Sequence, residues 1–410
     1  MTRVYARRVR RAIGAGAAAA VIAGTLIACT PQPSGPPVAV LFPGSADDAW
    51  GASAAVLEQE LAADGHAVEV RFAGDDIPGQ LGQLREALAG EPAAVVIAPV
   101  DATAIAAVLT PDLVGEAAII AYDDLVLDSG EVDYYATFDH RGAGRMRGEA
   151  FVAALGLDEL AGAGAGSGSG AESAVAVELL AGSGDDRVAQ EEFEGALEVL
   201  QPYLDSGVLA VPSGRIGFEQ AAVLRASPTT AAKRVTELLD DGVALAGVLA
   251  PTDEMARAVG EVVSGAGLVV ARPGGGAEWT ASPVPSAPST DGPSPVPGEP
   301  PPPDETAQPD AGDAGAADAG DMSPTIVVTG GGATLDGARA VAAGTLTATV
   351  YEDPRELART VASMVREVVD GSEPTVTRGA TTDNGMREVP TRLLEPMLIA
   401  TREDASALLG

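Results

Sequence analysis

The sequence predicts an α/β protein of two doubly wound parallel-sheet lobes, interrupted by a disordered Pro-rich insertion. Three observations predict it. From Val38 onward, short β-branched apolar runs alternate with longer amphipathic stretches. The alternation stops at an Ala/Gly/Ser stretch, 161–170, and then restarts, so it makes two units. It breaks again at 272–324 and resumes at 325, which brings the chain back into the fold. The 410 residues are enough for two to three domains at roughly 150 residues each. The chain is 46% hydrophobic but only 3% aromatic, so its core is built from Ala, Val and Leu.

In chain order, 38–42 reads as a buried strand ending at Pro43-Gly44. Residues 48–64 carry Ala52, Leu57 and Leu61 at helical spacing and stop at Gly65. A strand at 68–72, a helix at 78–89 and a buried strand at 93–98 follow. Residues 102–109 read as helix and 117–122 as strand. This β-α-β order calls for a parallel sheet with helices on both faces. Ala161–Gly170 reads as a flexible surface loop. The second unit has strands at 174–180, 207–211 and 245–250 and helices at 188–203, 228–240 and 253–266. Residues 272–324 are dense in Pro, Gly, Ser, Ala and Asp. Such a stretch cannot bury enough surface to offset its ordering entropy, so it is expected to be disordered. A strand at 325–329, helices at 333–343 and 354–370, and a strand-like segment at 387–399 complete the chain.

The start of the chain is a processing segment. Arg3, Arg7, Arg8, Arg10 and Arg11 precede an apolar run from Ala12 to Ala28. Leu26-Ile27-Ala28-Cys29 resembles the lipobox of bacterial lipoproteins, which implies cleavage before Cys29 and diacylation of its sulfur. An uncleaved membrane anchor is the other reading of the run. Either way the protein is exported and tethered outside the cytoplasmic membrane. Residues 30–37 are Pro-rich and read as an extended spacer.

Acids outnumber bases 59 to 25, for a formal net charge of −34. A surface this acidic repels phosphate backbones and argues against nucleic-acid binding. The single cysteine excludes a disulfide framework or a Cys-rich zinc site, and two histidines argue against a multi-histidine metal site. Neither a nucleophile–base pair nor a Gly-rich phosphate loop followed by Lys stands out, so an enzyme is not expected and no cofactor is called for.

Ligands in open parallel sheets bind beyond the carboxyl ends of the strands. Asp101, Asp123, Asp139 and Asp253 stand at those ends here. Each taken alone can be a helix N-cap or turn former. As a set they also suit a site that accepts hydrogen bonds from a ligand.

Many colinear stretches resemble the xylose/multiple-sugar branch of the type I periplasmic binding proteins, the solute receptors of ABC importers. They include Ala73-Gly-Asp-Asp-Ile-Pro-Gly-Gln-Leu81, Val132-Asp-Tyr-Tyr-Ala-Thr-Phe-Asp139, Val177-Glu-Leu-Leu-Ala-Gly-Ser183, Asp383-Asn-Gly385 and Val389-Pro-Thr-Arg-Leu-Leu-Glu-Pro396. The resemblance spans roughly 38–400 apart from the insertion. It implies two lobes joined by a multi-strand hinge, closing around a small ligand and docking on ABC permease subunits. The domains expected are a signal peptide at 1–28 and a lipid-anchored spacer at 29–37. An N-terminal lobe of 38–135 plus 331–372 and a C-terminal lobe of 136–330 plus 373–410 follow.

Carried over position by position, the resemblance keeps Trp50, whose face suits a pyranose ring, and the acceptors Asp101, Asp123, Asp139 and Asp253. Several expected donors are gone. The Arg before Trp50 is Ala49, and the Arg after Asp123 is Asp124. An Asn is His140, an Asn-Asn pair is Arg187-Val188, and a Lys is Glu352. An acid expected after the 325–329 strand is lost in Gly330-Gly-Gly-Ala-Thr334. A sugar hydroxyl both donates and accepts, so a site of carboxylates alone is unbalanced. Three readings stay open: a different, cationic ligand such as an amino sugar; a sugar held through substituted donors such as His140 and Arg187; or lost ligand binding, with the protein acting through a membrane partner. His140 is also read as a hinge hydrogen-bonder. The function expected is capture of a monosaccharide-like solute at the outer face of the cytoplasmic membrane.

Overall fold

Val38–Phe42 is apolar and buried at every position and forms β1, an interior strand of a sheet covered on both faces. The computed structural model describes residues 37–163, 174–272 and 324–410. Cys29, the processing segment, nearly all of the spacer, 164–170 and 273–323 lie outside the described residues. The expectations for them are therefore untouched.

The first sheet is built from α1 (Ala49–Ala63), β2 (Val68–Phe72), α2 (Ile77–Ala89), β3 (Ala94–Ile97), α3 (Pro111–Val114), β4 (Ala118–Tyr122) and β5 (Tyr134–Phe138) around β1. β1 lies between β2 and β3 in parallel register, Val38 opposite Val68 and Ala94. The helix expected at 102–109 is only a 3₁₀ turn, Ile105–Ala107. Thr110 precedes Pro111, and proline pushes its predecessor out of helical conformation; Thr110 is extended, with ψ 150°.

The second unit runs through α4 (His140–Leu155), α5 (Leu157–Gly162), β6 (Val175–Leu179), α6 (Arg187–Asp205), β7 (Leu209–Ala210), α7 (Phe218–Ala221), α8 (Pro228–Asp240), β8 (Gly247–Leu249), α9 (Asp253–Gly265) and β9 (Val269–Val270). The first residues of the expected 161–170 loop thus belong to α5. The return leg holds β10 (Thr325–Gly332), α10 (Asp336–Ala343), β11 (Ala348–Tyr351), α11 (Pro354–Val369), β12 (Thr381–Asp383), β13 (Glu388–Leu394), β14 (Met397–Ile399) and α12 (Arg402–Leu409).

Two sheets result, in the orders β12-β13-β5-β4-β3-β1-β2 and β14-β11-β10-β8-β6-β7, with β9 beside β10. All pairings are parallel except β12 on β13 and β14 on β11. This division corrects the expected lobe segments. Residues 331–351 fall in the second sheet, because β10-α10-β11 is one parallel crossover unit with Thr329 opposite Ala348. Residues 381–394 fall in the first sheet, because β13 pairs with β5, Thr391 opposite Tyr135. The strand-like segment 387–399 is two strands in different sheets, broken at Pro396, which lacks an N–H for a ladder.

The chain therefore passes between lobes three times: from β5 to α4, from β11 to α11, and from β13 to β14. α1 and α11 pack on one face of the first sheet through Leu57, Leu61, Val361 and Val365, and α2 covers the other with Leu84 and Leu88. In the second lobe α8, α9 and α10 supply Val235, Val259 and Val341 to one face, while α4 and α6 supply Phe151 and Phe193 to the other. Among the described residues no helix is long and apolar enough to cross a membrane.

Candidate functional site: the cleft between the lobes

Parallel strands deliver their carboxyl ends to one side, and in both sheets those ends carry the polar side chains. Beyond β1, Asp48 caps α1 by accepting from the Trp50 amide at 2.8 Å. Trp50 is thereby set at the helix start, its ring 5.2 Å from Phe42 and 6.2 Å from Tyr122. Beyond β3, Asp101 Oδ1 accepts from Thr103 N, Thr103 Oγ1 and Ala104 N at 2.8–2.9 Å. These bonds, that of Ala104 first, hold its carboxyl below the ordinary range.

Beyond β4, Asp123 adopts a left-handed φ of 63°. Its carbonyl accepts from Tyr135 Oη at 2.7 Å and Thr137 Oγ1 at 2.8 Å, which fixes that conformation. Burial pushes its carboxyl up to about 6; the charge of His140 opposes this, and those of Glu352, Asp124 and Asp186 add to it. Beyond β5, Asp139 caps α4, accepting from Gly142 N at 2.8 Å, with Arg145 Nη2 at 3.4 Å.

His140 is 3% exposed at the first crossing between lobes. Its Nε2 lies 2.8 Å from Thr137 Oγ1 and its Nδ1 3.0 Å from Glu352 Oε1, on the second crossing. Thr137 spends its own proton on the Asp123 carbonyl, so Nε2 must donate to it. The Glu352 Oε1 oxygen accepts, so Nδ1 also donates. The geometry calls for an imidazolium. Burial lowers its pKa, but Glu352 outweighs burial and lifts it to about 10.

From the second lobe, Arg187 opens α6 behind its cap, Asp186. Its Nη2 donates to Tyr135 Oη at 3.3 Å and to Asp124 Oδ1 at 3.5 Å, both on the first lobe, and its Nη1 pairs with Glu191. Arg147 is 2% exposed and donates to Glu192 Oε2 at 2.9 Å and to the Pro251 carbonyl at 3.1 Å. Burial raises the Glu192 carboxyl, Arg147 opposes this, and Glu352 adds to it.

Asp253 is not the cap of α9; Thr252 is, accepting from Met255 N at 3.2 Å. Asp253 is buried and accepts from Thr349 Oγ1 at 2.7 Å. Burial pushes its carboxyl up to about 7, against the Thr349 hydrogen bond. Its fit needs glycine on both sides. A Cβ on Gly330 would stand 2.5 Å from Oδ1, and one on Gly337 2.2 Å from Oδ2. A cavity of about 200 Å³ opens here, lined by Asp186, Glu192, Thr252, Asp253, Glu254 and Gly331–Thr334. A larger groove of about 940 Å³ runs between α9 and α10 along the flank of the second lobe. The strand ends of β6, β8 and β10 meet at the smaller cavity, the position at which open parallel sheets hold their ligands.

The periplasmic binding protein domain model matches residues 38–278. The chain belongs to the periplasmic binding protein family. This periplasmic binding protein is 29% identical over 365 residues to the multiple sugar-binding periplasmic receptor ChvE of Rhizobium radiobacter, covering 88% of the chain and 86% of the relative. It is 31% identical over 367 residues to the multiple sugar-binding periplasmic protein SbpA of Azospirillum brasilense, covering 89% and 85%. A similar solved fold is an ABC transporter solute-binding protein of Clostridium phytofermentans with bound β-D-glucose, with a TM-score of 0.66 and 24% identity over 91% of this chain and 96% of that one.

The binding protein brings Asp123, His140 and Arg187 into one network at the lobe junction. Asp253 lies in the second lobe at the adjoining cavity, and Trp50 lies on the first lobe against Tyr122. Asp101 and Asp139 are engaged in local turn and cap bonds. Sequence reasoning missed Arg147 and Glu192 as site groups; they lie one helical turn apart from, or on the helix facing, residues it did choose. Glu352 was visible only as a departure from the family pattern. His140, Glu192 and Glu352 each place a ligand atom within 4.8 Å of the others. With both imidazole nitrogens donating and Arg147 on Glu192, the positive charge there is already supplied by side chains.

Proposed function

We propose that this periplasmic binding protein captures a monosaccharide-like ligand between its lobes and presents it to an ABC permease. One observation carries the reading: a cavity of about 200 Å³ with hydrogen-bonding walls at the carboxyl ends of β6, β8 and β10, beside three interlobe crossings. Trp50 offers an apolar face for the C–H side of a ring, and Asp123 and Asp253 accept from hydroxyls. His140 and Arg187 are the substituted donors. The crossings let the lobes close as rigid bodies, on the μs–ms scale typical of hinge motion. Sugar-binding relatives that align along most of the chain support the same reading. It is a receptor's chemistry: groups that hold a solute, with no step that breaks a bond.

The anchor belongs to the same proposal. Cys29, diacylated after cleavage at Ala28, tethers the receptor to the outer face of the cytoplasmic membrane. Cys29→Ser is expected to move the protein from the membrane to the soluble fraction; retention on the membrane would refute the lipid anchor.

The capture reading is tested by thermal-shift and calorimetric titration against pentoses, hexoses and amino sugars. A true ligand at 100 times its dissociation constant adds about 2.7 kcal/mol and raises the melting temperature by several degrees. No shift across the panel would set capture aside in favour of a partner protein with a silent cleft.

A further inference from the structure

We infer that the ligand selected by this cleft carries a positive charge, as a protonated amino sugar does. The inference rests on the capture reading and adds the ligand's charge class. The second-lobe cavity is lined by the carboxylates Asp186, Glu192, Asp253 and Glu254, and among the described residues no basic side chain lines it. Asp253 is 7% exposed, and Thr349 is its hydrogen-bond donor among the described residues.

Every cation at the junction is already engaged. Arg147 is held by Glu192 and the Pro251 carbonyl. Arg187 is held by Glu191, Asp124 and Tyr135. His140 donates to Glu352 and Thr137. Arg225 stands at the outer rim, where its charge acts on Asp185. Among the described residues there, the acids left without a basic partner are Asp186, Asp253 and Glu254, all on the second lobe, since Asp124 is paired with Arg187, Glu192 with Arg147, and Asp123 lies 4.0 Å from His140. The charge of Asp186, on α6, reaches Asp123 and Asp124 on the first lobe and disfavours ionisation of both. Closing the cleft brings these like charges together and removes water from them. A neutral hydroxyl can satisfy one lone pair but leaves the charge uncompensated. An ammonium group supplies three donors and the missing charge.

The test is calorimetric titration of the full chain at pH 6.5 with paired hexoses: D-glucosamine and D-glucose, D-galactosamine and D-galactose, D-mannosamine and D-mannose. At least one amino sugar is expected to bind tenfold or more tightly than its neutral partner. Asp186→Asn keeps the α6 cap, since Asn caps as well as Asp, and Glu254→Gln changes an exposed side chain. Each is expected to weaken the amino sugar three- to tenfold, and by more than it changes the neutral partner. Neutral sugars binding as tightly as their amino partners would overturn the inference and leave capture standing. The same holds if the two variants weaken both classes alike. Calcium chloride stabilising the protein when no amine does would also overturn it. No binding by any of these hexoses would overturn the inference, while capture would then stand or fall with the pentose titrations.

Discussion

Arg147 and Glu192 carry opposite charges into the packing between α4 and α6, and removing either strands the other. Arg147 has 2% of its side chain exposed and Glu192 16%. Breaking a buried pair by deleting one partner costs about 3–5 kcal/mol, because the survivor stays buried without compensation. Glu192→Ala is expected to lower unfolding stability by that amount in urea titration, and the double change with Arg147→Met to recover much of it. Asp253 makes a different prediction, on pH. Its folded pKa, pushed up to about 7, lies above its ordinary unfolded value near 4. Between those values the folded state keeps a proton that the unfolded chain has shed. Its stabilising contribution is therefore whole below about pH 4 and is lost as pH rises through 7, by about 4 kcal/mol at most. Asp253→Asn removes the titration. The stability difference between wild type and variant should drift over pH 4–7 and be constant above 8; a constant difference throughout would mean Asp253 is ionised in the fold at all these values.

The helices α4 and α6 approach closely enough that glycine is required at the contact. A Cβ on Gly144 would lie 1.9 Å from the Glu192 carbonyl oxygen, and one on Gly195 2.1 Å from that of Arg141. Alanine would gain up to about 1 kcal/mol in helix propensity, but the clash is with backbone, which cannot rotate away. Gly144→Ala and Gly195→Ala are each expected to destabilise by about 3 kcal/mol, read in melting curves. They should also weaken ligand binding, because α4 carries His140 and Arg147 while α6 carries Arg187 and Glu192. The same glycines explain what was legible in the sequence. α1 and α9 show apolar spacing and capping side chains at their starts, and their bounds could be read to within a residue or two. α4 could not be read from its pattern, since Gly142, Gly144 and Gly148 look like breakers until α6 is seen against them. Arg147 and Glu192 were hidden with it, because their burial exists only at that crossing. Asp123 and Asp253 were legible as strand-end acids. That Asp101 and Asp139 serve local turns, and that Thr252 rather than Asp253 caps α9, depends on which amide each oxygen reaches, and strand-end position does not settle that.

At the scale of the whole molecule, a formal net charge of −34 sets a repulsion that the fold must contain. Part of it is spread over the surface and acts on the compact state as such. Part is concentrated between the lobes, where Asp123 and Asp124 confront Asp186 across a junction crossed by only three segments. Among the described residues, Arg187 reaches Asp124 and Tyr135 across the junction, and His140 ties the first crossing to the second through Glu352. Separation of the lobes relieves the concentrated part without unfolding either sheet, so it responds to screening before the fold does. Raising ionic strength from 0.01 M to 0.15 M shortens the Debye length from about 30 Å to about 8 Å. The ligand-free protein is expected to melt several degrees higher over that change and to show a smaller radius of gyration in small-angle scattering. Asp186→Asn should reduce the scattering response while leaving most of the melting response, because one charge matters to the junction far more than to the surface. Equal dimensions at both ionic strengths, with the melting temperature still rising, would locate the repulsion within the lobes and not between them.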